Sequence, residues 1–244
     1  SFQQEFQVLK DIALGAMSIF ASLLAILATA RLLPQDRDDR IVYTILARPV
    51  PRFEYVAGKL CGVLLLLAIS LLVMAVLFFA VLFLREQSVA SATVRGMAGD
   101  TPAQIASALH QLRAAAFSPN LLPAIAVIYL KSCILAALTL FISTFATTNI
   151  YTVVVGVFVY FIGHLQGTAR EFWLHEQGAG WLARTFLAGV ALVFPDLQLF
   201  DFSDAVVGGG HVPLALFAQT IGLGIFYVVI YLLLAIAVFN GKEL

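Results

Sequence analysis

The sequence contains few charged residues. Of its 244 residues, 11% are charged and 61% are hydrophobic, whereas soluble domains carry about 25% charged and about 45–50% apolar residues. So few charges could not cover the surface of a water-soluble protein of this size, and the mean hydropathy of +0.98 agrees. The composition therefore places the chain in a lipid bilayer.

Several functional motifs are also missing from the sequence. Cys61 and Cys133 stand singly in apolar runs, which gives neither a disulfide framework nor a metal-ligand spacing. A net charge of zero argues against a nucleic-acid surface. No Gly-x-x-x-x-Gly-Lys-Ser/Thr phosphate loop occurs, and neither His-x-x-Glu-His nor Gly-x-Ser-x-Gly is present. The chain is therefore expected to be neither an ATPase nor a membrane-embedded enzyme.

Long apolar runs predict an all-α polytopic membrane protein. A spanning helix needs about 20 apolar residues, and only helices or closed barrels satisfy their backbone polar groups in lipid. The runs lack the alternating pattern of barrel strands, so five spanning helices are predicted. A shorter apolar stretch, 181–194, predicts a re-entrant or interfacial helix that ends at Pro195. The spans cover 11–33, 56–84, a third ending near Ala146, 150–165 and 213–239.

Basic residues predict the orientation of the spans. Six of the fourteen lysines and arginines lie in or beside the loop at 34–55, so this loop is predicted to be cytoplasmic. The segments 85–120 and 166–212 then fall outside. Because the chain begins at Ser1, one further span is expected upstream, which would make six. The six basic residues are Arg31, Arg37, Arg40, Arg48, Arg52 and Lys59.

The cytoplasmic loop has the pattern of a short amphipathic helix at about 38–47. Acidic side chains favour the N-terminus of a helix, and Pro49 would end the helix at Arg48. Such a helix lies along the membrane, where it merely sets topology, or against a partner protein. Three acidic residues precede four apolar residues spaced for one face: Asp36, Asp38, Asp39, Ile41, Val42, Ile45 and Leu46.

The order of residues in this loop resembles that of a known family. The runs Ile41-Val-Tyr-Thr-Ile-Leu-Ala-Arg-Pro-Val-Pro-Arg52 and Glu54-Tyr-Val-Ala-Gly-Lys59 are similar to those of ABC-2-type permeases, especially the branch associated with multicopper-enzyme and nitrous-oxide-reductase maturation. The loop departs from the family pattern in two ways: Asp36 and Asp38 stand where the family usually has glutamates, and Pro34 precedes them. Weaker matches are Asp11-Ile-Ala-Leu-Gly-Ala, Ser143-Thr-Phe and Phe194-Pro-Asp-Leu-Gln-Leu-Phe-Asp201.

The resemblance implies that residues 1–244 form one transmembrane domain of an ABC exporter in the inner membrane of a bacterium. Such a permease pairs with a second copy or a paralogue, sometimes beside an external accessory protein, and its coupling helix contacts a cytoplasmic ATPase. ATP and Mg belong to that ATPase, and this chain is expected to hold no cofactor. The implied ATPase-contact residues are Asp36, Asp38, Arg40, Ile41, Tyr43, Thr44, Leu46, Arg48, Pro49, Arg52, Gly58 and Lys59.

Other ionisable residues offer weaker hypotheses. Intramembrane charges are often functional, but Lys131 is expected near the outer boundary with its amine extended to the interface. His164, Glu171 and His175 follow at the outer end of the fourth span, where solvation is expected and a metal site stays open. The alternative function is a secondary transporter or channel without an ATPase, which favours paired ionisable residues at mid-membrane. The substrate stays open, with copper- or sulfur-related cargo, lipids, glycans and small amphiphiles all compatible.

Overall fold

The computed structural model describes residues 2–38, 51–96, 101–117, 120–175, 195–202 and 213–241. Within these ranges the chain is helical and forms no strand, and five helices are long and apolar enough to cross a membrane. The predicted all-α polytopic fold is therefore confirmed. The elements are α1 (Phe2–Ala30), α2 (Leu32–Asp38), α3 (Arg52–Gly96), α4 (Pro102–Ala116), α5 (Leu121–Phe145), α6 (Asn149–His175), the 3-10 helix η1 (Leu197–Phe200) and α7 (Leu214–Asn240).

Helix α5 is the centre of the bundle. It packs against α1, α3, α6 and α7, and nearly all of its side chains between Lys131 and Thr144 are buried. A helix that is apolar on all sides must be buried, and α5 has that composition. Helices α3, α6 and α7 each leave large apolar side chains exposed, including Leu72, Phe158 and Phe226. These exposed side chains form the surface that suits contact with lipid.

Three helices extend beyond the apolar runs that predicted them. Helix α1 begins at Phe2, α3 continues to Gly96 and α6 continues to His175, so much of the predicted outer segments is helical. Two ion pairs involve these extensions. Glu5 of α1 lies 3.1 Å from Arg85 of α3, and Glu86 of α3 lies 3.3 Å from Arg113 of α4. The apolar runs mark the part of each helix within lipid, and the helices themselves continue outside it.

Two helix boundaries follow from local sequence signals. Helix α4 begins at Pro102, where the Gln104 carboxamide accepts hydrogen bonds from the Thr101 N–H at 3.1 Å and hydroxyl at 2.8 Å. Helices α5 and α6 are joined by a tight turn between Phe145 and Asn149. The predicted helix at 181–194 lies outside the described residues.

Helix α2 differs from the predicted loop. Leu32–Asp38 is helical and includes Pro34, which is tolerated in the first turn of a helix because its missing N–H has no partner there. Asp36 and Asp38 consequently lie in the last turn of α2. The helix that they were predicted to precede, at about 38–47, lies outside the described residues beyond Asp38.

Candidate functional site

Only some of the residues predicted to contact an ATPase lie in the described part of the chain. Asp36 and Asp38 belong to α2, while Arg52, Gly58 and Lys59 lie in the first two turns of α3. The structure therefore brings the two flanks of the predicted coupling helix to the same end of the bundle, where α2 contacts α1 and α5. The remaining predicted residues lie outside the described ranges: Arg40, Ile41, Tyr43, Thr44, Leu46, Arg48 and Pro49.

Arg52 connects the start of α3 to the end of α7. Its Nη1 atom donates a hydrogen bond of 3.1 Å to the carbonyl oxygen of Asn240, the last residue of α7. A cation is favourable at this position because the last carbonyls of a helix carry partial negative charge. One turn further along α3, the ring of Tyr55 stacks on Phe239 with 5.8 Å between centroids. A displacement of the α3 start would therefore move α7 as well.

Gly58 and Lys59 line an open groove of about 590 Å³ between α3 and the region where α1 passes into α2. A Cβ atom on Gly58 would meet nothing within 4 Å, so this side of α3 is open. The Lys59 ammonium lies 5.8 Å from the centroid of the Tyr55 ring, a distance suited to cation–π attraction. Ala28 and Leu32 form the opposite wall.

Lys131 lies inside the bundle. Its side chain is 1% exposed, and Nζ lies 3.2 Å from the Ser18 hydroxyl and 3.0 Å from Nε2 of His164. The prediction that Lys131 extends to the outer interface is wrong, because its helix is surrounded on all sides and the side chain finds polar partners on α1 and α6. His164, which was expected to be solvated, is partly buried against it.

The hydrogen bonds of His164 define its tautomer. Its Nδ1 atom lies 3.2 Å from the carbonyl oxygen of Tyr160, and because a carbonyl only accepts, Nδ1 must carry the proton. In a neutral imidazole the other nitrogen is then an acceptor, so Nε2 accepts from the Lys131 amine. The ring of Tyr160 lies 4.4 Å from that of His164, centroid to centroid, and fixes its orientation.

Two hydroxyls continue the polar interior below this pair. Ser22 lies one helical turn below Ser18, and Thr139 lies two turns below Lys131 along α5. Both are at most 1% exposed. The Ser22 hydroxyl interacts with the side chain of Tyr160, whereas the Thr139 hydroxyl has no hydrogen-bond partner in the described part of the chain. Mid-helix hydroxyls commonly donate to a carbonyl one turn back, as Thr29 does to Ala25 at 2.6 Å. Thr139 therefore presents an unused hydroxyl inside the bundle.

The segment 195–202 closes the bundle above Lys131, and we call it the plug. It includes η1, whose first turn is capped by the Asp196 carboxylate accepting from the Gln198 N–H at 3.1 Å. Leu197, Phe200 and Phe202 are buried in the main core. The plug approaches α6 closely at Gly163, where a Cβ atom would lie 2.7 Å from Leu197. This segment was predicted to be polar and external.

Asp201, at the end of the plug, is the carboxylate that faces Lys131. Its Oδ2 atom lies 4.0 Å from Nζ, and its side chain is 43% exposed. This distance is longer than the 2.7–2.9 Å of a charge-assisted hydrogen bond. The ammonium thus has two close neutral acceptors, Ser18 and His164, and one looser anionic neighbour.

No group of three or more histidine, cysteine or acidic side chains suited to a metal is found within the described residues. Of the three residues considered for a metal, His164 is directed at Lys131. Glu171 and His175 belong to α6, and their side chains lie outside the described set. The metal hypothesis therefore has no support from the position of His164.

Sequence reasoning missed Ser18, Ser22 and Asp201. A signal for the two serines existed, because a spacing of four in an otherwise apolar run places both on one face of a helix. Asp201 closes the motif Phe194-Pro-Asp-Leu-Gln-Leu-Phe-Asp201, yet nothing in its local pattern indicates that it faces a lysine seventy residues earlier in the chain.

The fold and its buried polar interior define a polytopic α-helical membrane protein. Residues 3–244 match the model of the family described as "Protein of unknown function (DUF2705)". The chain belongs to this family, and the match spans nearly its whole length. No curated protein and no solved structure matches it.

Proposed function

We propose that the chain is the permease subunit of an ATP-driven ABC exporter in the inner membrane of a bacterium. A separate cytoplasmic ATPase would bind the segment 36–59, hold ATP and Mg itself, and drive translocation by moving that segment. A second permease, either another copy or a paralogue, would complete the transmembrane part. An external accessory protein is compatible with this arrangement.

The observation that carries this proposal is the connection between α3 and α7 at the end that bears the loop. Because Arg52 binds the Asn240 carbonyl and Tyr55 stacks on Phe239, force applied to the loop would reach two spanning helices. Helix α7 in turn packs extensively along the central α5. A small movement of residues 36–51 would thereby tilt a large part of the bundle, as an externally powered permease requires.

The test uses the purified permease–ATPase complex reconstituted in lipid vesicles. Leu46→Asp and Arg48→Glu should abolish the stimulation of ATP hydrolysis by the permease, because they place charge on the apolar face or reverse the charge that a partner would recognise. The melting temperature of the permease should be unchanged. Arg95→Glu makes the same charge reversal at the opposite end of α3 and is the matched control. Parental stimulation in both loop variants would overturn the proposal.

A second candidate is a secondary transporter or channel that needs no ATPase. It draws on one specific observation, the meeting of Lys131, His164 and Asp201 in the interior, because such transporters use ionisable residues inside the membrane. Solute movement by the chain alone in vesicles, driven by an ion gradient without nucleotide, would favour this candidate. Dependence on both ATP and the second subunit would favour the exporter.

A further inference from the structure

We propose that the Lys131 amine, held in place by Ser18 and His164, is a binding site for the carboxylate or phosphate group of a ligand that enters from the plug side. Asp201 occupies this site when no ligand is present. The site is distinct from the loop at 36–59 and goes beyond the proposed function, because it requires no ATPase.

The first support is an imbalance of charge. The Lys131 ammonium offers three N–H donors, and its two close partners, the Ser18 hydroxyl and Nε2 of His164, are neutral acceptors. A buried cation is costly unless an anion compensates it. Asp201 supplies that anion from 4.0 Å, outside close hydrogen-bond contact. The third donor of Lys131 therefore points to a position that an oxygen anion at hydrogen-bond distance would fill better.

The second support is the difference in how the partners are held. Ser18, Lys131 and His164 lie on three long packed helices, α1, α5 and α6, so the position of the Lys131 amine is fixed in advance. Asp201 follows η1 in extended backbone and is 43% exposed. Its carboxylate can therefore withdraw into water without unwinding a helix. A ligand anion would exchange with Asp201 and leave the rest of the site unchanged.

The test compares two thiol reagents of opposite charge on a cysteine placed in the site. Ser18→Cys is introduced into the full-length chain with Cys61→Ala and Cys133→Ala, since Cys61 is exposed. The purified protein in detergent is treated with 2-sulfonatoethyl methanethiosulfonate, which is anionic, or with 2-trimethylammonioethyl methanethiosulfonate, which is cationic. The ratio of their rates measures whether the site attracts anions, and it is insensitive to the intrinsic reactivity of the thiol.

With Asp201 present, both reagents should react slowly. Adding Asp201→Asn should raise the rate of the anionic reagent at least about tenfold and make it at least about tenfold faster than the cationic one, because an uncompensated charge next to the thiol acts strongly at low dielectric. Adding Lys131→Met to that variant should abolish the preference. Glu54→Gln removes a carboxylate in the first turn of α3, away from the site, and should leave the rate ratio unchanged.

Equal rates for the two reagents in the Asp201→Asn variant would overturn the anion site, as would an anion preference that survives Lys131→Met. A Ser18→Cys thiol that stays unreactive in every Asp201 variant would show that the plug admits no ligand, and would also overturn the proposal. Asp201→Ala is made in parallel, so that poor folding of one variant leaves the other to decide. Normal ATPase stimulation by these variants would leave the exporter assignment intact, so the two proposals fail separately.

Discussion

The Nζ atom of Lys131 lies 3.0 Å from Nε2 of His164; the lysine is buried and the histidine is partly buried. This contact joins the central helix α5 to α6, and a hydrogen bond from the same amine to Ser18 joins α5 to α1. Three spanning helices thus meet at one cation. The energetic consequences of this arrangement are measurable without knowledge of the substrate.

Asp201→Asn should lower the melting temperature of the purified protein. The substitution leaves the Lys131 ammonium buried with neutral partners only, and losing one partner of such a pair is destabilising. In the Lys131→Met background the same substitution should have almost no effect. The coupling in this double-mutant cycle is expected to be about 1 kcal/mol, since the exposed part of Asp201 is screened by solvent. Additive effects of the two substitutions would contradict the pairing.

Gly163→Ala should displace the plug from α6. An added Cβ atom would lie 2.7 Å from Leu197 and 3.0 Å from the Pro195 carbonyl, and overpacking of this kind costs about 1–3 kcal/mol. We expect faster protease cleavage at 195–202 and a lower melting temperature. Gly62→Ala is the control, because a Cβ atom there meets nothing within 4 Å and alanine is the better helix former by about 1 kcal/mol. A Gly163→Ala protein as resistant as the parent would contradict the close contact.

Arg52→Ala should loosen the end of α7. The substitution removes the hydrogen bond to the Asn240 carbonyl, which is worth about 1–2 kcal/mol for a charged donor. Amide hydrogen exchange over 236–241 should accelerate about tenfold, while exchange in the centre of α5 should not change. Arg31→Ala, at the α1–α2 junction, is the comparison. Unchanged protection at the α7 end would mean that the loop does not act on α7 through Arg52.

Lys10→Met should release α4 from the bundle. The Lys10 amine is almost buried and donates a 2.7 Å hydrogen bond to the carbonyl oxygen of Ala115, in the last turn of α4. Methionine keeps the length and packing of the side chain but cannot donate, so the loss is expected to be about 1–2 kcal/mol. Limited proteolysis at 97–120 should become faster. If cleavage there is unaffected, the ion pair between Arg113 and Glu86 is sufficient to hold α4.

The sequence predicted the helices well and their ends less well. Apolar runs identify the part of each helix that lipid requires, so five spans could be found without the structure. The ends escaped because the helices continue past the apolar runs into polar sequence, where Glu5 meets Arg85 and hydropathy marks no boundary. The start of α4 was predictable for the opposite reason, since Thr101 and Pro102 define a helix start through local backbone chemistry.

The interior site was largely hidden from sequence reasoning. Lys131 was noticed, but its direction depends on which helices surround α5, and hydropathy does not specify packing partners. A lysine ten residues inside a span can extend to the interface if its helix lies at the edge of a bundle. In this protein the helix is central, and Ser18 and His164 provide acceptors in the interior. The position of α5 in the bundle, rather than the residue type, therefore determines that Lys131 is buried.

The most direct test of the central claim, that a separate ATPase powers this chain, is isolation of the tagged full-length protein from its native membrane in mild detergent. The subunits that co-purify in stoichiometric amounts are then identified by mass spectrometry, and the nucleotide hydrolysis of the preparation is measured. We predict a subunit with a phosphate-binding loop in equal ratio to the permease chains, and permease-stimulated ATP hydrolysis that is lost with Leu46→Asp. An intact preparation that contains no nucleotide-binding subunit and hydrolyses no ATP would contradict the assignment.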